Sequence, residues 1–121
     1  MSAETGMSAR IDELPDGAAI LVLSGEIDLA TAPTMVSRFQ ELADRGLTEV
    51  VIDAREVTFI DSTAIHGLIE GKRIIYEKGS MIVLVPSQQV RRVLELVFPE
   101  PLFAARSDSM DEALAMLSIR E

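Results

Sequence analysis

The sequence contains no cysteine, so disulfides, thiol catalysis and cysteine-based zinc sites are excluded together. Its single histidine, His66, cannot build a multi-histidine metal centre. Aromatic residues make up only 4% of the chain, which leaves the core to aliphatic side chains. Basic residues are also scarce, 11 against 20 acidic ones, for a formal charge of −9. A chain of that sign is poorly suited to a phosphate backbone, which demands clustered Lys and Arg. It suits a partner with a basic or cationic-rimmed surface. No apolar run approaches the ~20 residues of a membrane helix, and "MSAETGMSAR" lacks the charged start and apolar stretch of a signal peptide. The expectation is a cytoplasmic protein with no membrane insertion, no direct nucleic-acid contact, no metal and no cofactor.

What is present is a regular alternation of elements. The 121 residues suffice for one domain, 1–121, and show no internal repeat or linker. "ARIDEL" (9–14) alternates like an edge strand, "PDG" turns, and "AAILVLS" reads as a strand covered on both faces. "GEIDLATAP" reads as a loop, with Thr31 as cap and Pro33 in the first turn of a helix carrying Met35, Phe39 and Leu42. "EVVIDA" is the next strand and "REVTFI" the connection after it. A helix from Thr63 carries Ile65, Leu68, Ile69, Ile75 and Tyr76 on one face, with His66, Glu70, Arg73 and Glu77 opposite. "SMIVLVP" is a further strand, Ser87 caps a third helix, "LFAAR" is a short strand, and "SMDE" is a capping box opening the last helix.

The order β-β-α-β-α-β-α-β-α predicts an α/β fold: a mixed, mostly parallel sheet of about five strands with four helices. Functional loops of such sheets cluster at the carboxyl ends of the strands. "GEID" and "FIDST" both follow strands and are therefore expected side by side on one rim.

Three chemistries compete for "FIDST". Ser62, His66 and Asp61 superficially suggest nucleophilic catalysis. The serine is not in a G-x-S-x-G elbow, however, and no glycine loop offers an oxyanion hole, so no catalytic residue is expected. Asp53, ending "VVIDA", occupies the place of a receiver domain's phosphoacceptor, but no lysine follows Lys78 to complete such a site. The third possibility joins helix capping to phosphate acceptance, since a helix start supplies free N–H groups and the positive end of the dipole.

"LSGEIDLATAP" followed by "VVIDAREVTFIDSTAIHGL" resembles the STAS domain family, in particular the bacterial anti-sigma factor antagonists, from about Ala9 to Ile119. The resemblance implies partner switching. The unmodified antagonist binds an anti-sigma factor that is itself a serine kinase, and the sigma factor is freed. Phosphorylation ends that binding, and a PP2C-type phosphatase restores it. By motif Ser62 is the phosphoacceptor, and Gly25, Glu26, Asp28, Asp61, Thr63 and His66 form the partner surface. Where the family runs D-S-[ST]-G-L-G, Ala64 and His66 replace the two glycines. A scaffold STAS module of a stress-signalling or lipid-transport complex is the nearest alternative, and a receiver-like use of Asp53 the more distant one.

Overall fold

The computed structural model describes residues 6–47, 49–76, 81–97 and 105–118. The elements follow the expected order: β1 (Met7–Glu13), β2 (Ala18–Ile27), α1 (Ala32–Asp44), β3 (Glu49–Ile60), α2 (Ser62–Tyr76), β4 (Met81–Pro86), α3 (Gln88–Val97), β5 (Ala105–Arg106) and α4 (Met110–Ser118). One sheet holds the strands in the order β1-β2-β3-β4-β5. β1 is antiparallel to β2, and β2 to β5 run parallel. The remainder of "LFAAR" lies outside the described residues.

The larger core lies between one sheet face and α1, α2 and α3. Leu21, Ile52, Met35, Phe39, Ile65, Ile82 and Leu84 are fully buried there. α4 covers part of the other face, setting Ala113 and Leu117 on Val51, Val83 and Val85. Burying the apolar stripes of four helices against an apolar sheet supplies the main drive to fold, at about 25 cal/mol per Å². Among the described residues the second face is thus covered only in part. On its open side Arg10 pairs with Asp12 at 2.9 Å, and that hydrogen bond holds the Asp12 carboxyl below its ordinary range.

α1 and α2 approach closely because α2 carries glycine where α1 leans in. A Cβ on Gly67 would lie 2.9 Å from the Met35 terminal methyl, and one on Gly71 would lie 2.3 Å from the Phe39 ring. The helix starts are differently made. Ser87 accepts from the Val90 amide at 3.1 Å, as expected of a cap. Ser109 accepts from the Glu112 amide at 3.1 Å, but Glu112 turns to the Ser107 hydroxyl instead of closing the box. Thr31 makes no side-chain cap for α1, contrary to the sequence reading. Its hydroxyl donates to the Glu26 carbonyl and receives the Asp28 amide, so it ties the preceding loop together.

Two strands run further than the sequence suggested. "GEI" belongs to β2, and "REVTFI" is the second half of β3 and no connection. Two β-bulges explain why the periodicity misled. Val22 faces Asp53 and Ser24 faces Glu56; Gly25 faces Val57 and Glu26 faces Phe59. Each step places one extra β3 residue against β2, which breaks the two-residue alternation while the ladder continues. Ala54, Val57 and Ile60 all reach the core as a result, though they stand three apart.

Candidate functional site

The carboxyl ends of β2 and β3 form one rim, as the strand order predicts. Ile27 faces Ile60 in the ladder, and the Asp61 amide donates to the Ile27 carbonyl at 3.3 Å. The loop Asp28–Thr31 and the start of α2 are therefore fixed side by side.

At the start of α2 the three polar residues have separate tasks. Asp61 is the cap: its Oδ1 accepts from the Ala64 amide at 2.9 Å and its carbonyl accepts from the Ile65 amide at 3.0 Å. Ser62 is the first helical residue and is exposed. Thr63 is half-buried one position further on, and His66 is exposed one turn after Ser62. Because Asp61 holds the helix start, the Ser62 hydroxyl is left out of the cap. Among the described residues no hydrogen bond joins Asp61, Ser62 and His66 into a relay. Glu70, the residue expected beside His66, is paired with Arg73 instead.

The neighbouring loop divides the two acids that the sequence grouped. Asp28 is held by its own turn: Oδ1 accepts from the Ala30 amide at 3.0 Å and the Thr31 amide at 3.1 Å. Glu26 is exposed on β2 and opposite Phe59. Gly25 has a backbone reason to be glycine. Its φ is +85°, and a Cβ there would lie 1.6 Å from the Gly6 carbonyl oxygen, which accepts from the Glu26 amide at 2.6 Å. Gly25 shapes the rim and offers no side chain to a partner.

Asp53 sits elsewhere. It is buried mid-strand, β3 continues from it to Ile60, and Arg55 takes both of its oxygens at 2.9 and 3.1 Å. That hydrogen bond holds the Arg55 guanidinium above its ordinary range. A carboxylate so engaged is an ion-pair partner within the sheet, and a poor nucleophile toward a phosphoryl donor.

The sequence reading overlooked two exposed apolar side chains on this rim, Leu29 at 73% and Phe59 at 49%. Phe59 was hidden by its assignment to a connection. An aromatic in a chain so poor in aromatics was the available signal.

A family model described as STAS domain matches residues 10–113. No curated protein matches the chain. Among solved structures, an anti-sigma factor antagonist from Mycobacterium paratuberculosis is 24% identical, with a TM-score of 0.74 over 98% of this chain and 99% of that one. The anti-sigma factor antagonist SpoIIAA in its unphosphorylated form is 17% identical, with a TM-score of 0.75 over 93% and 96%. The phosphorylated form of the Bacillus cell fate determinant SpoIIAA is 16% identical, with a TM-score of 0.69 over 91% and 99%. At these identities the likeness establishes a shared fold.

Proposed function

We propose a function from one premise: this chain belongs to the STAS domain family. It acts by binding, as an anti-sigma factor antagonist, and not by catalysis. In its unmodified form it binds an anti-sigma factor that is a serine kinase, which releases the sigma factor. Phosphate on Ser62 ends the binding, and a PP2C-type phosphatase reverses the modification. The setting is the cytoplasm; no described helix is long and apolar enough to cross a membrane.

The observation that carries this reading is the division of labour at the start of α2. Asp61 caps the helix, and Ser62 presents an exposed hydroxyl at its first position. A phosphate can be added there without removing the cap. Thr63 is half-buried, and its branched side chain is stiffer within the first turn, so Ser62 is the better acceptor.

The test begins with the serine kinases of histidine-kinase-like fold encoded in the same genome, purified and tried one at a time with ATP. The expected product is an acid-stable phosphoester mapped to Ser62 and absent from Ser62→Ala. An acid-labile acyl-phosphate on Asp53, or labelling that persists at Thr63 in that variant, overturns the assignment. A scaffold module is the second reading, favoured by the exposed His66 and the buried Ala64 where antagonists carry glycines. For a scaffold, Ser62→Ala and Ser62→Asp bind the partner equally.

A further inference from the structure

The β2–β3 ladder carries the rim over onto the sheet face that α4 covers in part. Ser24 and Glu26 on β2 follow Ile20 and Val22 in alternation, so they point to that second face and away from α1 and α2. Their ladder partners Glu56 and Phe59 point with them. All three larger side chains, Glu26, Glu56 and Phe59, are exposed. The other described phenylalanine, Phe39, is fully buried.

The charges around Phe59 are one-sided. No Lys or Arg occurs in residues 24–31 or 56–66. Of the two arginines nearby on the sheet, Arg10 pairs with Asp12 and Arg55 pairs with Asp53, and Arg55 also feels the charge of its neighbour Glu56. Glu26 and Glu56 have no ion-pair partner among the described residues. An aromatic face bordered by two carboxylates without a direct ion pair matches one kind of occupant, a planar guanidinium that stacks on the ring and donates to both acids.

We infer that Phe59, flanked by Glu26 and Glu56, is the anchor for an arginine of the partner kinase. The partner contact therefore begins at Ser62 and wraps over the strand ends onto the second sheet face. This inference rests on the partner-switching reading and adds a surface to it. It makes binding depend on two patches: the start of α2, which phosphate controls, and the Phe59 patch, which phosphate does not touch. Aromatic and arginine anchors dominate interface energetics, so the patch is expected to carry a large share of affinity.

The probe is the kinase identified by the Ser62 labelling experiment, titrated calorimetrically against the full chain. Phe59→Ala is expected to weaken binding at least tenfold, and the Glu26→Gln, Glu56→Gln double variant at least fivefold with a shallower salt dependence. Phe59→Leu keeps apolar bulk without the ring face and is expected to fall between Phe59→Ala and wild type. Thermal melts of each variant control for folding, since all three side chains are exposed. If Phe59→Ala and the double variant bind within twofold of wild type while Ser62→Asp is released, the contact stops at α2 and the inference is wrong, with the partner-switching reading intact. If no such kinase binds the wild-type chain, both fall together.

Discussion

Asp61 and Ser62 are neighbours with opposite demands on their side chains, and substitution should separate them. Asp61 satisfies the Ala64 amide, so Asp61→Ala is expected to cost about 1 kcal/mol, the usual loss for a removed N-cap. Ser62→Ala removes an exposed hydroxyl outside the cap and should stay within about 0.5 kcal/mol of wild type. Urea denaturation of both variants checks the pair, and equal losses would show that Ser62 shares the capping. The same separation applies on the facing loop. The Asp28 carboxylate accepts from two amides of its own turn, so Asp28→Lys should cost on the order of 1–3 kcal/mol. Glu26→Lys should cost less than about 0.5 kcal/mol, which makes it the cleaner probe of a partner surface. Unchanged stability in Asp28→Lys would mean that the turn holds without its carboxylate. At this scale the sequence exposed which residues gather on the rim, because the motifs and strand order place them. It did not expose their tasks. Whether an acid caps, ties a turn or faces solvent depends on which amide lies within 3 Å, and spacing alone is silent on that.

Helix α2 shows how an element can be right in kind and incomplete in detail. Its apolar face, with Ile65, Leu68 and Ile75, is legible from period alone, and all three are buried. The spacing Gly67-x-x-x-Gly71 was equally visible, yet its purpose needs the facing helix: Phe39 lies where a Gly71 side chain would be. Gly71→Ala tests this because two effects oppose. Alanine gains about 1 kcal/mol of helix propensity over glycine. Against that, its methyl meets the Phe39 ring, and overpacking a filled core costs typically about 1–3 kcal/mol. A ring fixed in the core cannot swing clear, so a net loss is expected in a urea melt. Gly67→Ala should be closer to neutral, since the nearest atom is the flexible end of Met35. A stabilised Gly71→Ala variant would show that α1 moves away at no cost. β3 is the converse case. Its first half is a largely apolar run buried on both faces and was legible; its second half has two bulges and reads as a loop, although pairing with β2 continues to Ile60. Bulges defeat a period-two reading for the same reason that they aim Phe59 and Glu56 outward.

At the scale of the whole molecule, the alternation of strands and helices was enough to place "GEID" beside "FIDST", since parallel strands with right-handed crossovers leave few arrangements. What alternation could not supply is how far each sheet face is covered, because that depends on where α4 comes to rest. The rim that results is acidic, and this decides how a phosphate on Ser62 would act. A phosphoserine carries nearly two negative charges at neutral pH. Asp61 precedes it in the chain, and the Asp28 loop is fixed alongside through the hydrogen bond from the Asp61 amide to the Ile27 carbonyl. Two unit charges ~6 Å apart repel by roughly 3 kcal/mol at an effective dielectric of 20, before salt screening. A partner surface shaped to an uncharged hydroxyl and to an acidic rim meets a penalty of the same order. That corresponds to about a hundredfold in affinity. The folded chain itself is less affected: Ser62 is exposed, Asp61 retains the cap, and the helix dipole returns up to about 1 kcal/mol to a negative group at this position. Ser62→Asp adds one charge without the bulk of phosphate. It is expected to melt within a few degrees of wild type, as a surface change of about 0.5 kcal/mol allows, and to lose most of its affinity for the kinase. Calorimetric titration and a thermal scan of the same sample decide the matter. Affinity lost together with the fold would point to an unfolding switch; affinity retained with the fold intact would show that charge at Ser62 is not what the partner senses.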